Sequence, residues 1–110
     1  MNEVGQILVG SYSIGYWSRY KYFRVKSHTK SGAPRVVELK KNLISNTSTP
    51  VDSTVIHELS NEMVEIGPVL TARKDKSGEY GVQIEESFGK TRAVLSPYVH
   101  GTQYREDSYW

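Results

Sequence analysis

Apolar and polar positions alternate in short runs along most of this chain, and clusters of Gly, Pro, Asn, Asp and Ser separate the runs. This pattern is typical of β-strands joined by turns. It predicts a first strand from Gln6 to Tyr12 and a long second strand from Tyr16 to Ser27. The parity of the apolar positions changes between Tyr22 and Phe23, which predicts a bulge or a strand that curls from one sheet to another.

The middle of the chain is less regular. A third strand is predicted from Arg35 to Lys41, and it forms a hairpin with the second strand through the turn at residues 29–34. Asn42 to Asp52 contains Asn, Ser, Thr and Pro with little to bury, and we expect an exposed loop there. Residues 53–66 fit either a strand or a short helix, because their composition favours a strand while their apolar residues also recur at helical spacing.

The last third predicts three short strands and two tight turns. The strands are Val69 to Arg73, Tyr80 to Glu85 and Thr91 to Leu95, and residues 75–78 and 87–90 join them. After Pro97 the chain is aromatic and polar without a clear period. We expect residues 98–110 to pack either on the domain or on a partner copy, because a Trp or Tyr is rarely left loose in water.

Five to seven short strands in 110 residues predict a single all-β domain over residues 1–97. Because the strands are mostly antiparallel and one is long and curled, the expected architecture is a small curled barrel, SH3-like or OB-like. The alternative is a two-layer α+β fold with one short helix near residues 53–66.

Several classes of function are disfavoured by what the chain lacks. It has no cysteine, which excludes disulfides and thiolate metal sites. It shows neither a secretory leader nor an apolar run of the roughly 20 residues that span a bilayer, so we expect a soluble, intracellular protein without membrane contact. Its three histidines have no metal-ligand spacing, and Glu85 and Glu86 point to opposite faces of a strand. The sequence therefore predicts a non-enzyme without cofactor, metal or small-molecule substrate.

Charge is concentrated in one segment. Residues 17–41 hold 8 of the 14 Lys and Arg residues with a single acid, Glu38, a local balance of +7, while the rest of the chain carries −5. Basic residues interleaved with aromatic ones suit a phosphate backbone and stacked bases. The alternative is that the aromatic residues are core and the cations form a solvated face or protect an edge strand. The predicted nucleic-acid-binding residues are Trp17, Arg19, Lys21, Arg24, Lys26, Lys30, Arg35, Lys40 and Lys41.

The same asymmetry of charge predicts self-association. A positive hairpin and a negative remainder can complement each other across a dimer interface. We therefore expect a homodimer in which Tyr104, Tyr109 and Trp110 contact the second copy. The alternative is a tail that folds back on its own domain.

Two segments carry a resemblance to a known group of proteins. The stretch from Gly15 to Val25 contains Trp17, Phe23 and Val25 and leads through a turn into the basic strand from Gly32 to Lys40. This opening and the run from Pro97 to Tyr104 resemble small virion proteins of the amoeba-infecting giant double-stranded DNA viruses. The resemblance implies a viral, non-enzymatic protein packaged with the genome in the virion, and it brings no site residues.

Together these observations predict a sequence-tolerant protein that binds nucleic acid or another polyanion, because no base-reading motif accompanies the basic segment. The alternative is a viral structural or scaffold subunit that acts through protein–protein contacts.

Overall fold

The computed structural model describes residues 3–14, 17–48, 52–86 and 89–109. In this part of the chain all regular structure is β, and every strand pairing is antiparallel. The strands are β1 (Ile7–Ile14), β2 (Trp17–His28), β3 (Pro34–Leu39), β4 (Lys41–Ser48), β5 (Asp52–Leu59), β6 (Glu65–Thr71), β7 (Arg73–Lys74), β8 (Tyr80–Glu86), β9 (Gly89–Pro97) and β10 (Tyr104–Tyr109).

Seven strands form one sheet in the order β6-β3-β2-β1-β9-β8-β7. Its two edge strands are consecutive in the chain, since only Ala72 separates β6 from β7. The Ala72 N–H donates to the Pro34 carbonyl at 2.9 Å, next to the point where the chain stops pairing with β3 and starts pairing with β8. The sheet therefore curls into a half-barrel that is joined at this end and open between β6 and β8. The prediction of an all-β, small curled barrel is confirmed.

The other three strands form a second sheet in the order β10-β5-β4, which corrects two sequence-based expectations. Most of the predicted loop from Asn42 to Asp52 is strand β4, which pairs with β5 along its length. The ambiguous segment 53–66 supplies most of β5 and the start of β6, so the α+β alternative with a helix there is wrong. The chain changes sheets at Lys40, whose N–H donates to the Val64 carbonyl and whose carbonyl accepts from the Ser60 N–H.

Strand β2 is buried on both faces, and this explains the change of parity between Tyr22 and Phe23. Phe23 faces an inner core inside the half-barrel, whereas Tyr22 faces an outer core in which β5 and β10 pack on the large sheet; both side chains are fully buried. The bulge lies elsewhere, between Val25 and Ser27. The inner core is Leu8, Tyr12, Phe23, Val25, Val36, Ala72, Val82, Ile84, Ala93 and Leu95. The outer core is Val9, Tyr22, Leu39 and Leu59, with Ile7, Tyr20, Met63, Tyr98 and Tyr104 packed against it.

Because Gly10 on β1 has no side chain, it leaves room for the ring of Phe23 in the inner core. A Cβ at this position would lie 2.8 Å from Phe23 Cε2 and 3.1 Å from Ala93 Cβ. Gly10→Ala should therefore lower the free energy of unfolding by about 1–3 kcal/mol, the cost of overpacking a core, as measured by urea denaturation. Gly67→Ala is the matched control, because its Cβ would meet only Glu38 Cβ at 3.9 Å. An equal loss at both glycines would contradict this explanation.

Candidate functional site

Most of the predicted nucleic-acid-binding cations on β2 lie beside carboxylates of the same chain. Lys21 Nζ is 3.4 Å from Glu38 Oε2 and 3.9 Å from Glu86 Oε1. Arg24 and Lys26 share Glu65, at 3.6 and 2.9 Å from its Oε2. The hydrogen bond from Lys26 lowers the pKa of Glu65. The charges of these three cations are thus largely balanced by carboxylates of the same chain.

Two further predicted cations converge on a single buried acid. Arg19 Nη1 lies 3.9 Å from Glu106 Oε2, and Lys41 Nζ lies 3.2 Å from Glu106 Oε1. Lys41 also donates to the Tyr20 carbonyl at 3.0 Å. Trp17 belongs to β2, but its side chain lies outside the described part of the chain. The predicted basic hairpin is therefore not one continuous positive face.

The remaining three cations, Lys30, Arg35 and Lys40, are exposed and form no ion pair within the described residues. Lys40 lies at the bend between the two sheets, away from the other two. Lys30 lies in the turn between β2 and β3, and Arg35 follows Pro34 at the start of β3. The structure therefore leaves Lys30 and Arg35 available for an external anion.

Closure of the half-barrel brings a segment with two more cations next to the start of β3. Arg35 lies opposite Thr71 in the sheet, and the Ala72–Pro34 hydrogen bond then directs Arg73 and Lys74 past the start of β3. Both are exposed, and neither forms an ion pair among the described residues. Lys74 Nζ lies 5.4 Å from the centroid of the Tyr80 ring, within the range of a cation–π contact. We call Lys30, Arg35, Arg73 and Lys74 the basic rim.

Arg92 holds the backbone of the basic rim at Arg73. Its Nη2 donates to the Arg73 carbonyl at 3.1 Å and to the Glu79 carbonyl at 2.9 Å. Its Nη1 donates to Asp75 Oδ2 at 3.4 Å. The hydrogen bond from the Ser77 side chain lowers the pKa of Asp75, which keeps the carboxylate ionised. These contacts fix the turn between β7 and β8, so the backbone that carries Arg73 and Lys74 is held in place.

A groove of about 950 Å³ lies on the open side of the half-barrel, between β6 and β8. Arg73 belongs both to its lining and to the basic rim. The rest of the charged lining includes paired charges, since Lys21 lies beside Glu38, and Lys90 lies 4.0 Å from Glu85. The rim is therefore more positive than the groove that it borders.

Sequence reasoning missed a buried polar cluster between the two sheets. The Tyr22 hydroxyl lies 2.9 Å from His57 Nδ1, and His57 Nε2 lies 2.7 Å from Glu106 Oε1. Because a carboxylate can only accept, the proton of a neutral His57 lies on Nε2, and Nδ1 accepts from Tyr22. The Tyr20 N–H donates to Glu106 Oε2 at 3.3 Å. We call Tyr22, His57 and Glu106 the buried triad.

Burial and charge compete within the buried triad. Burial by itself raises the pKa of Glu106, but the nearby His57 and the Lys41 ammonium outweigh it, and the pKa of Glu106 falls below its usual value. Burial raises the pKa of the Tyr22 hydroxyl. All three side chains are less than 5% exposed, and none of them lines the groove. The geometry therefore suits a connection between the two sheets.

Of the three residues predicted to contact a second copy, the structure describes the side chain of Tyr104 alone. Tyr104 packs against the outer core of its own chain, with its ring centroid 4.8 Å from that of Tyr20. Tyr109 lies at the end of β10, which pairs with β5, but its side chain is not described. Trp110 lies outside the described residues. Within the described chain, then, this segment folds back on its own domain.

No helix in the described ranges has the length and hydropathy needed to cross a membrane. The same ranges contain no group of three or more His, Asp or Glu residues placed to hold a metal ion. Comparisons of the chain with protein-family models, with curated proteins and with solved structures find no match.

Proposed function

We propose that this chain is a non-enzymatic, sequence-tolerant polyanion-binding protein, and that it binds nucleic acid through the basic rim. The observation that supports this proposal is that Lys30, Arg35, Arg73 and Lys74 lie on two chain segments that the hydrogen bond between Ala72 and Pro34 joins. Four exposed cations without acidic partners in the described chain attract phosphates without first having to leave an internal ion pair. The resemblance to virion proteins extends the proposal to a genome-associated role in a virion.

The rim is a better phosphate site than the β2 cations that the sequence favoured. A phosphate that approaches Arg24 or Lys26 competes with Glu65, and one that approaches Lys21 competes with Glu38 and Glu86. Inside the groove, Glu38 and Glu85 would compete with a phosphate for Lys21 and Lys90. Binding is therefore expected at the rim, with the groove left to solvent.

Charge is expected to contribute more than stacking. Tyr22 is buried in the outer core and Tyr20 packs against it, so these two aromatic residues of the basic segment offer little surface for stacking. Tyr80 is half-buried beneath Lys74 and offers at most part of one ring face. Four phosphate contacts predict a slope of log affinity against log salt of about −3 to −4, with little dependence on base sequence.

The test is a fluorescence-anisotropy titration of labelled single- and double-stranded oligonucleotides at several salt concentrations. The double variant Arg35→Gln with Arg73→Gln should weaken binding and reduce the salt slope by about 2, because two phosphate contacts are lost. The matched control is Arg24→Gln with Lys26→Gln, which removes the same formal charge from cations already held by Glu65. We expect a much smaller change in affinity and slope for the control.

Two results would contradict the proposal in different ways. If neither oligonucleotide binds at low salt, the function itself is wrong. If both double variants lose affinity equally, binding depends only on net charge and the basic rim is not the site.

A further inference from the structure

The guanidinium group of Arg92 lies across β8 at Gly81. A Cβ placed on Gly81 would lie 2.5 Å from Arg92 Cζ, 2.6 Å from its Nε and 2.7 Å from its Nη2. Because the three distances are nearly equal and the central carbon is the closest atom, this position lies over the plane of the guanidinium and not at its edge. A side chain would occupy that space, so the glycine at position 81 is what allows the guanidinium to lie with one face against the strand.

The edges of the same guanidinium are held by hydrogen bonds. Nη2 donates to the carbonyls of Arg73 and Glu79, and Nη1 donates to the carboxylate of Asp75. Hydrogen bonds from a guanidinium lie near its plane, so they fix its orientation and leave its second face uncovered. The Arg92 side chain is 38% exposed and lines the groove. The exposed part therefore includes the face that points away from Gly81.

We propose that this face of Arg92 is a stacking platform for a nucleobase, and that the nucleic acid bound at the basic rim is single-stranded; the inference rests on the proposed function. Bases stack on the planes of arginine guanidinium groups, and they are free to do so when they are not stacked within a duplex. Arg92 Nη2 lies 3.1 Å from the carbonyl of Arg73. A strand whose phosphate binds Arg73 therefore has a base within reach of Arg92.

The part of the groove beside Arg92 suits a base better than a phosphate. A base is uncharged and does not compete with Glu38 or Glu85 for their lysines, so it can enter space that the phosphates leave to solvent. Gln83 lies opposite Arg92 in the pairing of β8 with β9, and it also lines the groove. Its amide both donates and accepts hydrogen bonds, so it can meet the edge of any base, in agreement with binding that tolerates sequence.

The test compares two single-stranded probes by fluorescence anisotropy at the same salt concentration. One is a labelled oligothymidylate, and the other is a labelled abasic deoxyribose-phosphate oligomer of the same length. The probes carry the same phosphates and differ only in their bases. Wild type should bind the oligothymidylate at least about fivefold more tightly, which is the lower end of what one stacked base contributes.

Two variants alter the platform without changing the charge of the chain. Arg92→Lys replaces the plane by an ammonium group and should bring the ratio of the two affinities close to one. Gly81→Ala keeps the arginine but places a Cβ against its guanidinium, and it should lower the ratio as well. A weaker hold on Arg73 would affect both probes equally, so the ratio reports stacking alone. Far-ultraviolet circular dichroism identifies the variants that fold, and either of them suffices.

Arg24→Lys is the matched control, because it makes the same replacement in a cation beside Glu65 and should leave the ratio unchanged. If neither probe binds wild type at low salt, the proposed function itself is wrong. Equal affinity of wild type for the two probes would overturn the stacking platform and leave polyanion binding in place. A ratio that persists in Arg92→Lys and Gly81→Ala would likewise overturn the assignment to Arg92.

Discussion

Glu106→Ala is expected to lower the free energy of unfolding by about 1–3 kcal/mol, the usual cost of leaving a buried hydrogen-bond donor without its acceptor. The carboxylate of Glu106 is 4% exposed and lies 2.7 Å from His57 Nε2 and 3.2 Å from Lys41 Nζ. Its removal leaves His57 and the Tyr20 N–H without this acceptor in the space between β2, β5 and β10. We therefore expect the contact between the two sheets to weaken first.

Urea denaturation followed by far-ultraviolet circular dichroism measures this loss. Glu85→Ala is the matched control, because Glu85 is 78% exposed and lies 4.0 Å from Lys90. An exposed pair of this kind contributes at most about 1 kcal/mol. If the two alanine variants had similar stability, Glu106 would not connect the sheets in the way proposed.

The dependence of stability on pH gives a second measurement of the same effect. The pKa of Glu106 is lower in the folded protein than its ordinary value of 4.5. A lowered pKa means that the stabilising contribution is fully present above about pH 4.5 and is lost as the pH falls through the folded-state value. The free energy of unfolding of wild type should therefore fall more steeply below pH 4.5 than that of Glu106→Gln. Parallel curves would contradict this assignment.

Phe23→Ala is the second large effect, with an expected loss of about 3–5 kcal/mol from the cavity left by a buried aromatic ring. Phe23 is fully buried in the inner core, on the opposite side of β2 from the buried triad. Val99→Ala shortens an exposed apolar side chain and should change the free energy of unfolding by less than about 0.5 kcal/mol. The measurement is urea denaturation of all three proteins under the same conditions.

A double-variant cycle shows whether the loss arises at the predicted contact. Phe23 is the nearest neighbour of a Cβ placed on Gly10, so Gly10→Ala should cost much less once the ring is absent. Additive losses from Gly10→Ala and Phe23→Ala would mean that the two positions are not in contact, and would contradict the packing described for the inner core.

The sequence predicts the regular parts of this fold because their signals are local. On β8, Val82 and Ile84 are buried and Gln83 and Glu85 are exposed, as the alternation along the strand requires. The turn between β2 and β3 has Gly32 at a φ of 91°, a conformation that favours glycine. Such signals lie within a few residues of the structure that they specify.

The parts that the sequence did not predict depend on partners far along the chain. Strand β4 has the composition of a loop and becomes a strand because β5 supplies its backbone hydrogen bonds. The buried triad joins residues from three separate strands, and no spacing along the chain reveals it.

The site was predictable only in part for the same reason. Composition finds the cations of residues 17–41, but it does not show that Glu65 and Glu106 neutralise several of them. Nor does it show that the segment with Arg73 and Lys74 passes the start of β3, because that depends on the hydrogen bond between Ala72 and Pro34.

The position of β1 has a consequence for how the chain folds. Leu8 lies opposite Phe23 on one side and opposite Pro97 on the other. Strand β1 therefore pairs on one side with β2, which follows it directly, and on the other side with β9, which lies about 80 residues later in the chain. Closing such a long loop is entropically costly, and domains dominated by distant pairings fold in milliseconds to seconds. During synthesis on the ribosome, the β1-β2-β3 meander must therefore wait with one edge open until β9 emerges. That interval is when a nascent chain is most exposed to pairing with a neighbour instead of with itself.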